Sequence, residues 1–151
     1  MRRLLLSSAL ILAQPLISLA QAGPPAPLAD KTLKVMMCVL QDDSATGWVP
    51  DFLMLTRQTA GPRAGRIEVF DPILQNLVHR PIQAQVVADD GGSRSYGWAL
   101  SKVRNSAGQE AQRLDYRLTV RRDDGEAQMV VTALGYDNIM RGHGRCQTPQ
   151  D

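Results

Sequence analysis

The sequence predicts a mainly β domain: an antiparallel meander of seven or eight strands that closes into a small barrel, with a two-sheet sandwich as the alternative. Three observations lead there. Short apolar runs with period-two alternation recur along the chain, separated by turns rich in Gly and Asp. No window offers an amphipathic helix longer than about three turns. Two cysteines, Cys38 and Cys146, stand in the first and last of these stretches. A bridge between them would tie the two ends of the meander together, as either closed form requires.

The first strand candidate runs from Leu33 to Leu40. Leu33, Val35, Met37 and Val39 line one face, while Met36, Cys38 and Leu40 line the other, so both faces are expected to be partly buried. A polar loop, Gln41 to Gly47, leads through Trp48 and Pro50 to a second run, Phe52 to Arg57. Gly61, Pro62 and Gly65 interrupt the chain before Arg66 to Phe70, where Ile67 and Val69 alternate with Arg66 and Glu68 as in a half-buried strand. Asp71 to His79 reads as a helical turn or a wide loop.

The later strands are clearer. Ile82, Ala84, Val86 and Ala88 form one apolar face, and Asp89-Asp90-Gly91-Gly92 marks a turn. Tyr96, Trp98 and Leu100 then alternate with small and polar residues. After a longer turn from Asn105 to Gly108, Leu114, Tyr116, Leu118 and Val120 alternate with Asp115, Arg117, Thr119 and Arg121. That is the cleanest amphipathic strand in the chain. Asp123-Asp124-Gly125 turns it back into Ala127 to Leu134. Short turns between successive strands favour antiparallel neighbours.

The N-terminus reads as a signal peptide over residues 1–22. Arg2 and Arg3 precede an apolar stretch, and small residues at Ala20 and Ala22 offer cleavage after either, the second giving a mature start at Gly23. The apolar stretch is interrupted by Gln14 and Pro15, too short a run to span about 30 Å of hydrocarbon. The expectation is therefore a periplasmic or secreted protein with no transmembrane segment after cleavage. Residues 23–31, with Pro24, Pro25 and Pro27, read as an extended linker. A single β domain follows over 32–147, and 148–151 form a tail.

Export changes the meaning of charge and cysteine. The whole chain carries 17 basic and 15 acidic residues. Loss of Arg2 and Arg3 leaves 15 of each, so the mature domain is formally neutral and lacks the long-range field that draws proteins to nucleic acid. Two cysteines in an oxidising compartment read as one disulfide. A Cys38–Cys146 bridge would close a loop of 109 residues, both cysteines counted, and loop closure contributes up to ~4.7 kcal/mol in the chain-entropy model.

Catalytic and metal chemistry find no foothold. His79 and His143 are the only histidines, and neither has a partner at a zinc-ligand spacing. There is no Gly-x-Ser-x-Gly elbow, and no motif implies a cofactor. The acidic loop from Gln41 to Gly47 is rich in oxygen but does not match a calcium-loop spacing. Arg141-Gly142-His143-Gly144-Arg145 is the first choice for a binding locus. Two glycines and three cations could form a pocket for a carboxylate or phosphate. The alternative is an exit strand whose glycines permit a positive φ beside the disulfide. Trp98 and Tyr116 face inward, either as core or as the lining of a ligand cavity if the barrel opens at one end. Arg113, Arg117, Arg121 and Arg122 form a stripe, interleaved with Asp115, Asp123 and Asp124 as on a solvated sheet face.

Cys38, Gly47-Trp48-x-Pro50, Trp98, Gly135-Tyr136-x-Asn138 and Gly142-x-Gly144-x-Cys146 together resemble short exported proteins of alphaproteobacteria. The resemblance spans nearly the whole mature chain and implies no activity. At the level of architecture the chain is similar to small periplasmic β-barrels such as lysozyme-inhibitor and lipocalin-like domains. The expected function is a non-enzymatic periplasmic binding or interaction domain, with an envelope protein as partner. Carriage of a small apolar or anionic ligand is the second reading, and a hydrolase with an unrecognised site is the third.

Overall fold

The computed structural model describes residues 32–104 and 108–148. The expected signal peptide (1–22) and the expected Pro-rich linker (23–31) lie outside the described residues, as do 105–107 of the longer turn and the last three residues of the expected tail. Eight strands follow in order: β1 (Leu33–Asp42), β2 (Phe52–Gln58), β3 (Ile67–Phe70), β4 (Ile82–Asp89), β5 (Ser93–Arg104), β6 (Glu110–Arg121), β7 (Glu126–Ala133) and β8 (Ile139–Gln147). One short helix, α1 (Pro72–Leu77), separates β3 from β4. Every strand pairs antiparallel with its neighbour in sequence, and β1 pairs with β8, so the sheet is a closed barrel. The barrel expectation holds and the sandwich is set aside.

Because the meander is strictly up and down, its connections sort onto two ends. The loop from β1 to β2, α1, and the links from β5 to β6 and β7 to β8 all lie at one end. The other end carries the start of β1, the close of β8 and the three remaining turns.

The interior is filled in the way an eight-stranded barrel allows. Leu53, Val69, Leu114, Leu118, Met129 and Val131 are among the fully buried side chains, each from an inward position of its strand. On β6 the alternation read from sequence is what the fold uses: Leu114, Tyr116, Leu118 and Val120 are buried, while Arg113, Arg117 and Arg121 are exposed. A bilayer-spanning barrel has the opposite pattern, apolar outside and polar within. Among the described residues no helix is long and apolar enough to cross a membrane.

Two of the expected faces need correction. On β1 only Cys38 and Leu40 are buried; Leu33 and Val35 on the other face are half-buried, but Met37 is 40% and Val39 66% exposed, so that face opens to water toward the end of the strand. On β4 the register with β5 shifts between Val86 and Ala88. Val87 is the extra residue of a bulge, and Ala88 passes to the opposite face from Val86. Alternation across a bulge cannot be counted through.

The disulfide forms as expected. Cys38 and Cys146 are register partners on β1 and β8 and are bonded to each other. The glycines before Cys146 serve neither a positive φ nor a pocket. Gly142 and Gly144 are absent from the positive-φ residues. A Cβ on Gly144 would overlap the carbonyl oxygen of Val39, and one on Gly142 would lie 2.6 Å from Val49 Cγ1. Here glycine allows β1 and β8 to approach closely where the barrel closes.

Local chemistry explains the turns. The Asp42 carboxylate accepts hydrogen bonds from the amides of Ser44 (2.8 Å), Thr46 (3.0 Å) and Gly47 (3.1 Å). Its acceptor capacity is spent on holding the loop, an Asx-type role. Asp90 accepts from the amides of Gly92 and Ser93 in the same way.

Candidate functional site

The residues singled out from sequence separate onto two sides of the barrel wall. Trp98 and Tyr116 are register partners on β5 and β6 and point inward. Their rings stack with centroids 5.3 Å apart and planes 7° from parallel. Both are buried, so they belong to the packed interior. Arg141, His143 and Arg145 alternate on the outer face of β8 and are exposed. The two groups cannot line one site.

The interior nevertheless holds three polar groups near the α1 end. Asp71 is only 2% exposed. It caps α1, its Oδ1 accepting from the Leu74 amide at 2.7 Å, with Pro72 in the first turn where no amide is needed. Burial raises its pKa to about 6, against the pull of the Leu74 and Ile73 amides. Burial also pushes the Tyr116 phenol well above its ordinary value, reinforced by the charge of Asp71. Tyr116 Oη and Trp98 Nε1 are buried without a hydrogen-bond partner among the described residues. Such groups cost the fold about 1–3 kcal/mol each.

On the outer face, His143 Nδ1 lies 2.7 Å from the Asp43 carboxylate. An Asp–His pair beside Ser44 raises the question of a catalytic triad, and the hydroxyl answers it. Ser44 Oγ accepts from the Arg141 amide at 2.8 Å and donates to the Arg141 carbonyl at 3.4 Å. The serine is therefore bound to the backbone of β8 and does not present its oxygen to His143. The pair sits on the exposed wall, outside any water-excluding cleft, and lacks the nucleophile–base contact that acyl transfer requires.

The outer cations are not all alike. Arg113 pairs with Asp115, Arg121 with Asp123 and Glu126, and Arg94 and Arg122 share Asp89. Those pairs bear out the reading of a solvated stripe. Arg117, Arg141 and Arg145 form no ion pair among the described residues. Arg117 and Arg141 flank Val130 across β6, β7 and β8. Arg145 lies beside Val39, which in turn lies beside Phe52. Next along the wall, Met37 is beside Met54, and Met54 beside Phe70. Arg145 thus borders an exposed apolar strip, in which Phe52 is 40% exposed, and faces Glu126 on its other side. Sequence reasoning marked Arg141 and Arg145 and expected the Met37 and Val39 face to be partly buried, but did not connect it to Phe52.

A second feature escaped the sequence. At the loop end, Thr46, Trp48, Ala111, Tyr136, Asn138 and Met140 line a cleft of about 380 Å³. Trp48 and Met140 are buried at its floor, and Tyr136 is exposed at its rim. Only closure of the barrel brings the loop after β1 against the loop after β7. The signal available in sequence was two aromatic turns, Gly47-Trp48 and Gly135-Tyr136, with nothing to say that they meet.

Comparison with protein-family models found no match, and comparisons with curated proteins and with solved structures likewise found none.

Proposed function

We propose that this chain is a non-enzymatic binding domain, exported to the periplasm, that recognises its target with the outside of its barrel. The observation that carries the reading is the exposed apolar strip of Met37, Val39 and Phe52 beside a packed interior. Contiguous apolar surface on a small barrel is costly to leave in water and marks an interaction site. Export is supported by the leader pattern of Arg2, Arg3 and the following apolar run. The Cys38–Cys146 disulfide is compatible with an oxidising compartment.

Photo-crosslinking tests the reading. A photoreactive residue replacing Val39, in the protein expressed with its leader in a bacterial host, should give discrete adducts. One replacing Gln85, on the opposite wall, should give none. Equal labelling from both positions would remove the outer strip as the recognition surface.

A second reading, carriage of a small neutral apolar ligand, is supported by the cleft between Trp48 and Tyr136. Its volume falls within the usual range of ligand sites, and apolar residues floor it. Native mass spectrometry of gently purified mature protein separates the two. A retained mass of a few hundred daltons that is lost from Trp48→Ala would move the site to the cleft.

A further inference from the structure

We propose that the cleft between the β1–β2 and β7–β8 loops binds a small uncharged molecule that joins an apolar ring to a hydrogen-bond acceptor such as a carbonyl oxygen. The inference rests on the reading of this cleft as a ligand site and goes further by naming the chemistry its ligand must carry. It does not depend on the outer strip.

The first requirement comes from one buried donor. Trp48 is 5% exposed and lines the cleft. Its backbone amide donates to the Thr46 hydroxyl oxygen at 3.4 Å, but its indole N–H has no partner among the described residues. Nor is that nitrogen sealed in the interior. The wholly buried side-chain atoms without a partner are Trp98 Nε1 and Tyr116 Oη. The Trp48 N–H is therefore open to the space that the ring lines. An indole nitrogen only donates, so what it lacks is an acceptor. A purely apolar occupant would strip this donor of water and return no hydrogen bond.

The second requirement is an apolar ring. Trp48, Ala111 and Met140 are buried, and Ala133 is half-buried. Ala111 and Ala133 stand beside Val103 and Leu114 in the ladders, and their small side chains leave the barrel mouth unfilled. Met140 gives the floor an adaptable side chain that packs well on aromatic edges. At the rim Tyr136 is 62% exposed and offers a ring face on which a planar group can stack. Asn138, beside it on the lining, has an amide without a partner among the described residues and can meet the ligand's polar edge.

Charge sets the third requirement. The one acid on the lining, Glu110, is paired with Arg104, and no Lys, Arg or His lines the cleft among the described residues. An ionised ligand would give up water there and find no free counter-ion. The occupant is therefore uncharged.

The test is a heteronuclear NMR titration of the mature, disulfide-bonded protein with two probes of nearly the same shape. Acetophenone is an aromatic ketone; cumene carries an isopropyl group in place of the acetyl. The chain has two tryptophans, so two indole N–H resonances report separately, and Trp48→Phe assigns them. Acetophenone should move the Trp48 resonance downfield to saturation and leave that of the enclosed Trp98 in place. Cumene should shift the Met140 methyl resonance without that downfield movement. Trp48→Phe keeps a ring but loses the donor. It should weaken acetophenone by about tenfold, the order of one net hydrogen bond, and leave cumene nearly unchanged. Circular dichroism verifies that the variant keeps its barrel; should it not, the parent titration alone decides.

If both probes shift Met140 while the Trp48 N–H resonance stays in place, the acceptor requirement falls and the cleft stands as a purely apolar site. If neither probe perturbs Met140 or Trp48 at millimolar concentration, the proposal and the carriage reading fall together.

Discussion

Cys38 and Cys146 stand directly opposite one another in the β1–β8 ladder, with their Cα atoms 4.0 Å apart. Every other strand pair in the barrel joins consecutive strands, so its loop-closure cost is small. The β1–β8 seam joins residues 108 apart, and there the unfolded chain has most to lose. The disulfide therefore sits on the one junction whose entropy cost is large.

Replacing both cysteines with alanine should lower unfolding stability by about 2–4 kcal/mol, within the chain-entropy ceiling of ~4.7 kcal/mol. Urea unfolding of the oxidised protein and the double variant checks this. A difference below about 1 kcal/mol would mean that β1–β8 pairing already persists in the unfolded ensemble.

Tyr116 separates packing from hydrogen bonding. Its ring stacks on Trp98 in the interior, while its hydroxyl is buried without a partner. Tyr116→Ala should cost roughly 3–5 kcal/mol, the usual cost of emptying a large aromatic site. Tyr116→Phe removes only an unsatisfied hydroxyl and should be neutral or stabilising. A Phe variant destabilised by more than about 1 kcal/mol would show that the hydroxyl is hydrogen-bonded in solution.

The β6 strand shows how much of the fold was legible. Leu114 to Val120 alternate so regularly that strand, inner face and neighbouring turns follow from sequence, and the Cys pair supplies the closure. Alternation does not say which face is wet when both are apolar. Met37 and Val39 were expected to be partly buried because nothing local reveals that the Cys38 face alone turns inward at this end of β1. The bulge at Val87 leaves no mark in composition, so Ala88 was placed on the wrong face. Of the candidate site, Arg141 and Arg145 were found as cations. The approach of Arg145 to Phe52 through Val39 and the meeting of Trp48 with Tyr136 depend on long-range closure, which no local window contains.

Gly144 tests the close approach at the seam. A Cβ there would overlap the Val39 carbonyl oxygen, a backbone atom that cannot rotate away. Gly144→Ala should destabilise by about 1–3 kcal/mol or more, through forced separation of β1 from β8. Amide exchange at β1 should accelerate more than at β5 or β6. Unchanged stability would mean that the seam has slack.

Asp71 gives the fold a pH dependence of unusual sign. Its carboxyl has a pKa of about 6 in the folded protein against an ordinary 3.8, because burial outweighs the amides of Leu74 and Ile73. Between these values the folded state holds the proton and the unfolded state releases it, so stability falls as pH rises through the window. Below it both states are protonated and the cost vanishes; above about 6 the burial cost is carried in full. A shift of about two units corresponds to about 3 kcal/mol. Asp71→Asn keeps a side-chain oxygen to cap α1 and cannot ionise. The parent protein should therefore lose up to about 3 kcal/mol relative to this variant between about pH 4 and pH 7. The depressed carboxyl of Asp89, at about 2 beside Arg122 and Arg94, acts with the opposite sign. Its contribution is present above the ordinary 3.8 and is lost only as pH falls below that, outside the Asp71 window. Denaturation midpoints of the two proteins across the window decide the matter: parallel pH profiles would place Asp71 in water, with α1 lifted from the barrel mouth.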